Sequence, residues 1–173
     1  VIQKLQTPTE GEVLKNNSEL LFVTHKMVDE VKAEARQSSR HMARLLMHLS
    51  HEDTVQEMLI AMGRDCLVTP NSAIGKSESL HIVEGRLLLV IFDIDGNVIR
   101  REKMSHQGDF GSSIYRLNST PWHTMIPLTD MVVVHETLQG PFENSSEPLP
   151  KWIPSDSDSM KKFIQEIIVN SED

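Results

Sequence analysis

The chain has 173 residues, a formal net charge of −8, 39% hydrophobic and 24% charged residues, and only five Phe, two Trp and one Tyr. That length suffices for one domain with a sizeable core, while the acidity excludes the broad basic face that nucleic acid or an anionic membrane surface requires. A single cysteine, Cys66, cannot close an intramolecular disulfide, and the longest apolar run, residues 87–92, is too short to span a bilayer.

In chain order, residues 1–17 are polar, with Pro8, Gly11 and the pair Asn16-Asn17, and read as an arm. They lack the basic start and apolar core of a signal peptide, so a cytoplasmic location is expected. Residues 20–23 form a short apolar run of strand type. Thr24 is placed to cap a helix along which Met27, Val28, Val31 and Ala35 recur on one face, ending near Gln37-Ser38-Ser39. A strand is expected over 43–49. Residues 55–62, VQEMLIAM, favour helix by propensity. As a strand they would put Met58, Ile60 and Met62 on one face; strand is expected, because a sheet follows and Gly63 closes the segment. Residues 66–69 read as a further strand, with Cys66 as its buried thiol.

A strand at 79–83 runs to the turn Glu84-Gly85. Strands 86–92 and 97–103 flank Asp93-Ile94-Asp95-Gly96, where Asp-Gly signals a hairpin. Residues 105–113 form a loop with Gly108 and Gly111. Short strands follow at 114–117, 123–126 and 131–137, and Gly140-Pro141 ends the run. Many short strands between turn signals describe a mainly β sandwich or barrel. The stretch 144–159, rich in Pro, Ser and Asp, reads as a wrapping tail or linker. Met160, Phe163, Ile164, Ile167 and Ile168 make an amphipathic helix that docks on its own barrel or on a partner subunit. The expected organisation is an N-terminal arm (1–23), a barrel with a leading helix (24–143), and a C-terminal tail with its amphipathic helix (144–173).

The stretch 69–85, TPNSAIGKSESLHIVEG, holds Asn71 and Ala73 two apart, Glu78 five residues on, and Gly85 seven beyond that. With QSSRHMARLLMH, DTVQEMLIA, YRLNSTPWHTMIP and VVVHETLQGPF it covers roughly residues 24–154 in the order of a known family. On these motifs the chain resembles the WbuC family of cupin fold metalloproteins. The resemblance implies a double-stranded β-helix, a small jelly-roll-like barrel, with metal ligands at the interior of its mouth. In this sequence those positions are Asn71, Ala73, Glu78 and His123. The family has His at the first two, so only Glu78 and His123 carry over. The residues before His123 read Asn118-Ser119-Thr120-Pro121-Trp122, a departure from the general second cupin motif.

Side chains two apart on a strand share a face, which is why such sites use His-x-His. Ala73 has no donor atom, and Asn71 offers a neutral amide oxygen suited to a hard cation rather than a transition metal. No tightly bound cofactor is therefore expected, and at most a divalent metal held weakly by Glu78 and His123 with Asn71 as third donor. His81, three residues beyond Glu78, points to the opposite face and reads as a packing residue. His135 and Glu136 are adjacent on a late strand, so only one can face inward; with Asn71 and Ala73 they are the candidate cavity-lining residues. Glu78 and His123 form a candidate catalytic acid–base pair, or else a pair that satisfies itself in a retired site. His25, His41, His48, His51 and His106 are expected at the surface, and Arg36, Arg40 and Arg44, spaced by four, form either an anion site or a solvated row.

Three functions compete. The first is a cupin-fold binding protein or pseudoenzyme for a small molecule, sugar-related on the resemblance alone. The second is a metal-dependent enzyme of isomerase or oxygenase type using Glu78 and His123. The third is a dimerising barrel with an idle cavity. The expected partners are a small-molecule ligand and a second copy of the chain, with neither nucleic acid nor membrane.

Overall fold

The computed structural model describes residues 2–7, 11–108, 111–142 and 148–169. In chain order these form β1 (Ile2–Thr7), β2 (Gly11–Asn16), α1 (His25–Gln37), β3 (Met42–Leu46), β4 (Val55–Gly63), β5 (Asn71–Ala73), β6 (Glu78–Glu84), β7 (Arg86–Phe92), β8 (Val98–Ser105), β9 (Ile114–Leu117), β10 (Thr120–Pro127), β11 (Met131–Gln139) and α2 (Ser157–Val169). One sheet runs β1-β2-β3-β4-β11-β6-β9 and the other β5-β10-β7-β8. Of the eight strands from β4 to β11, the first sheet takes the first, eighth, third and sixth, and the second sheet takes the second, seventh, fourth and fifth. That order is the jelly roll, so the fold is the cupin type of double-stranded β-helix, mainly β with two helices.

Alternation within the strands fills three layers. Met62, Ile60, Leu80, Ile82, Leu87, Leu89, Ile91, Met125, Val132 and Val134 meet between the sheets. The opposite faces of β4 and β11 carry Leu59, Ala61 and Val133, covered by Val31 and Ala35 of α1. Leu88, Val90 and Phe92 of β7 lie under Met160, Ile164 and Ile167 of α2. Both β4 and β7 are thus buried on both faces, and so read as near-continuous apolar runs. For β4 this burial outweighs the helical propensity of VQEMLIAM. Thr24 caps α1, its hydroxyl accepting from the Met27 N–H at 3.3 Å. Asp156 begins α2 by accepting from the Ser159 N–H at 2.9 Å, and α2 docks on its own barrel.

Several expectations need correction. The arm contains a hairpin, β1 with β2, and β2 joins the sheet parallel to β3. Residues 20–23 form no strand: β2 already lies along β3, Leu20 sits in a bend bonded to the Ser18 hydroxyl, and Leu20 and Phe22 are exposed. Residues 66–69 are not a strand either. They carry the chain from one sheet to the other, and Cys66 and Val68 are apolar because they are buried in the crossover, where the Thr124 hydroxyl donates to the Val68 carbonyl at 2.6 Å. Burial pushes the Cys66 thiol up to about 11. Pro8, residues 144–147 at the head of the expected tail, and 109–110 within the expected loop lie outside the described residues. Among the described residues, no helix is long and apolar enough to cross a membrane.

Candidate functional site

Glu78 opens β6 and shares its face with Leu80 and Ile82, so strand parity sends it into the barrel. His123 lies on β10 two residues before Met125 and enters from the opposite sheet. The two meet: His123 Nε2 is 3.3 Å from Glu78 Oε1, with the side chains 1% and 3% exposed. The other ring nitrogen, Nδ1, is 2.9 Å from the Pro121 carbonyl. A carbonyl only accepts, so Nδ1 carries hydrogen, and Nε2 donates to Glu78 when the ring is protonated. Burial alone would lower the His123 pKa, but the hydrogen bond and charge of Glu78 prevail and hold it above its usual value.

Two further residues complete the cluster: Tyr115, which the sequence did not single out, and Arg44, which it placed in a row with Arg36 and Arg40. Tyr115 on β9 donates its hydroxyl to the same Glu78 oxygen. Burial, then the neighbouring charge of Glu78, raises its phenol, so it is a fixed O–H donor. Arg44, on the same face of β3 as Met42, acts on Glu136 as a nearby positive charge. The available signals were the position of the chain's one tyrosine on a strand, and a charged residue alternating with Met42 and Leu46. The expected strand at 43–49 is present as β3, and it leaves no arginine row. Arg36 ends α1 and Arg44 sits on β3, so the three arginines share no helical face.

The adjacent pair on β11 is resolved by register. Glu136 lies between Met58 and Leu80, whose side chains pack in or against the inter-sheet core, and it is half-buried. Burial, followed by the charge of Glu78, pushes its carboxyl up to about 7, while Arg44 and His123 pull it back. His135 therefore faces outward and does not line the cavity. It lies directly across from His81, and its Nε2 is 3.3 Å from Glu57 Oε1. His81 does point away from Glu78, but it is exposed rather than packed. His48 is buried, not at the surface, and Nδ1 contacts the Glu57 carbonyl at 2.9 Å.

Asn71 pairs with His123 and Ala73 with Thr120 in the β5–β10 ladder, with an irregularity between them. Asn71 is exposed and Ala73 partly buried. The metal implied by the resemblance does not fit these residues. An open catalytic site needs about three protein donors. Here Ala73 supplies none, and the Glu78 oxygen facing His123 already accepts from Tyr115. Among the described residues, no group of three or more His, Cys, Asp or Glu is placed to hold a metal. Surface cavities of about 290 and 310 Å³, one along α2 beside Lys162 and Gln165 and one beside His41 and Arg64, lie away from this cluster.

Against known proteins, the family described as a domain of unknown function (DUF6016) matches residues 23–104, just under half of the chain. No curated protein matches it. Among solved structures, the chain is similar to an HTH_3 family transcriptional regulator from Vibrio cholerae, at 15% identity and a TM-score of 0.43, over 58% of this chain and 52% of that one. It thus spans about half the length of that regulator. It is also similar to the cupin domain of Cnp3 from Schizosaccharomyces pombe (11% identity, TM-score 0.43, 57% and 59% of the two chains). A third is a cupin superfamily protein from Desulfitobacterium hafniense (10% identity, TM-score 0.42, 57% and 76%).

Proposed function

We propose that this protein is a small-molecule binder of cupin fold that works through hydrogen bonds rather than through a tightly held metal. The observation that carries the reading is the interior cluster of Glu78, His123 and Tyr115. It is a polar set built from three strands beside the apolar inter-sheet core, and its members fix one another in place. A buried polar network of this kind is costly unless fully satisfied, and when satisfied it is rigid. Rigidity of that kind is what a binding site needs to orient a polar ligand. Half-buried Glu136 and exposed Asn71 give the cluster a side toward solvent.

The resemblance to WbuC-type proteins supports a sugar-related ligand, and the two missing histidines support descent from a metal site that has lost its donors. On this reading the His123–Glu78 pair positions the ligand and performs no turnover. The test is purification without chelators, followed by elemental analysis and thermal denaturation against a panel of sugars and organic acids. A ligand that binds the native state raises the melting temperature. A concentration-dependent rise with sub-stoichiometric metal supports the reading. Stoichiometric transition metal would overturn it in favour of a metal-dependent enzyme, and a panel without any shift would favour an idle barrel.

A further inference from the structure

At the mouth, Tyr115, Glu78 and His123 satisfy one another, and His123 also donates to Pro121. Glu136 differs. Among the described residues its carboxyl makes no hydrogen bond or ion pair, although Glu78 of β6, His123 of β10 and Arg44 of β3 all act on it through space. Tyr115 of β9 is close enough to feel its charge, and Met58 of β4, its direct neighbour, is apolar. Charges of both signs already face one another here, Glu78 and Glu136 against Arg44 and a histidine held toward protonation, so an ionic ligand of either sign finds repulsion beside attraction and still has to shed its hydration. An uncharged ligand avoids that cost, and an ionised carboxylate accepts hydrogen bonds without donating any.

We infer that Glu136 is the ligand-contacting residue of this mouth, and that it selects an uncharged ligand offering neighbouring hydroxyl donors, such as a small polyol or neutral sugar. The inference rests on the proposal that the mouth binds a small polar molecule, and adds which residue reads it and which chemistry is read. Two adjacent hydroxyls match the two oxygens of one carboxylate. Protonation turns one of those acceptors into a donor, so binding weakens as pH falls through the range in which Glu136 titrates.

The test uses the full chain with glutamate carboxyls labelled with ¹³C, the Glu136 resonance being identified by its loss in Glu136→Gln and in Glu136→Asp. The probes are D-glucose, D-galactose and L-rhamnose, with glucuronate, glucosamine and per-O-methylated glucose as anionic, cationic and donor-free counterparts. The expected result is that at least one neutral sugar moves the Glu136 resonance. That sugar should bind about tenfold more weakly to Glu136→Gln, the loss of roughly one hydrogen bond to a charged group, and more weakly at pH 6 than at pH 8. The three counterparts should bind about tenfold more weakly to the wild type. Sugars that bind while the Glu136 resonance stays fixed, or counterparts that bind equally well, overturn this inference and leave the binding reading standing. Failure of every probe to bind overturns both. If Glu136→Gln does not fold, the resonance shift in the wild type and the affinity of Glu136→Asp decide the question.

Discussion

His123 and Glu78 come from opposite sheets and meet in the barrel interior, Nε2 to Oε1 at 3.3 Å, with almost no solvent access to either side chain. Removing one member of such a pair leaves the other buried without its partner. Glu78→Ala would also strand the Tyr115 hydroxyl. We expect it to lower stability by about 3–5 kcal/mol, read from urea denaturation, and Glu78→Gln to lower it by less because the amide still accepts from Tyr115. A loss below about 1 kcal/mol for Glu78→Ala would mean that the pair contributes little to the fold.

Stability should decline with rising pH across two windows. Glu136 is raised from 4.5 to about 7, so between those values the native state holds more proton than the unfolded chain, and stability falls as pH climbs through them. His123 is raised above 6.5, so its contribution is full below that value and is lost as pH rises through the native pKa. Burial holds His48 below its usual value, which works in the opposite sense, with stability gained as pH rises toward 6.5. Urea midpoints from pH 5 to 9 for wild type and Glu136→Gln separate these effects. The wild-type decline between 5 and 7 should be steeper than that of the variant, and parallel curves would show that Glu136 does not titrate there.

Placing histidines at positions 71 and 73 tests where β5 points. Asn71 lies across from His123 in the ladder. The double substitution Asn71→His with Ala73→His should bind Ni²⁺ or Zn²⁺ at least about tenfold more tightly than the wild type, measured by titration calorimetry. Equal affinity would mean that positions 71 and 73 do not converge on Glu78 and His123.

Gly85 fixes the turn from β6 into β7. Its φ is +83°, and an added Cβ would run into the Met131 carbonyl oxygen and come within 2.7 Å of Thr129 Oγ1. Gly75 has a similar φ of +85° but nothing within 4 Å of that position. Gly85→Ala should therefore cost more than about 2 kcal/mol and Gly75→Ala about 1 kcal/mol, compared by thermal denaturation. Equal losses would mean that the turn yields to the clash.

Ile164 is 8% exposed and packs from α2 into the layer over Leu88, Val90 and Phe92. Ile164→Ala should destabilise the protein by about 2–5 kcal/mol. A loss below about 1 kcal/mol, measured by urea denaturation, would show that α2 is only loosely attached.

The sequence determined most of the β architecture, because alternation along a strand is a local property that solvent and core enforce residue by residue. The alternation of Met58, Ile60 and Met62, the Asp95-Gly96 turn, the Thr24 cap and the helical stripe from Met160 to Ile168 are all visible without a fold. Parity also sent His81 away from Glu78. The errors fell where a segment's state depends on its neighbours. Residues 20–23 have strand composition but join no ladder, since β2 already lies along β3, and 66–69 are apolar because they are buried in the crossover. The candidate site was legible only in part. Glu78 and His123 were named from the motif, yet their contact joins residues 45 positions apart on opposite sheets. The Tyr115 hydroxyl on Glu78, the inward turn of Glu136 and the outward turn of His135 followed from inter-strand register, which a single sequence does not encode locally. Only the tertiary structure decided them, because a hydrogen bond across a barrel depends on which strands the fold brings side by side.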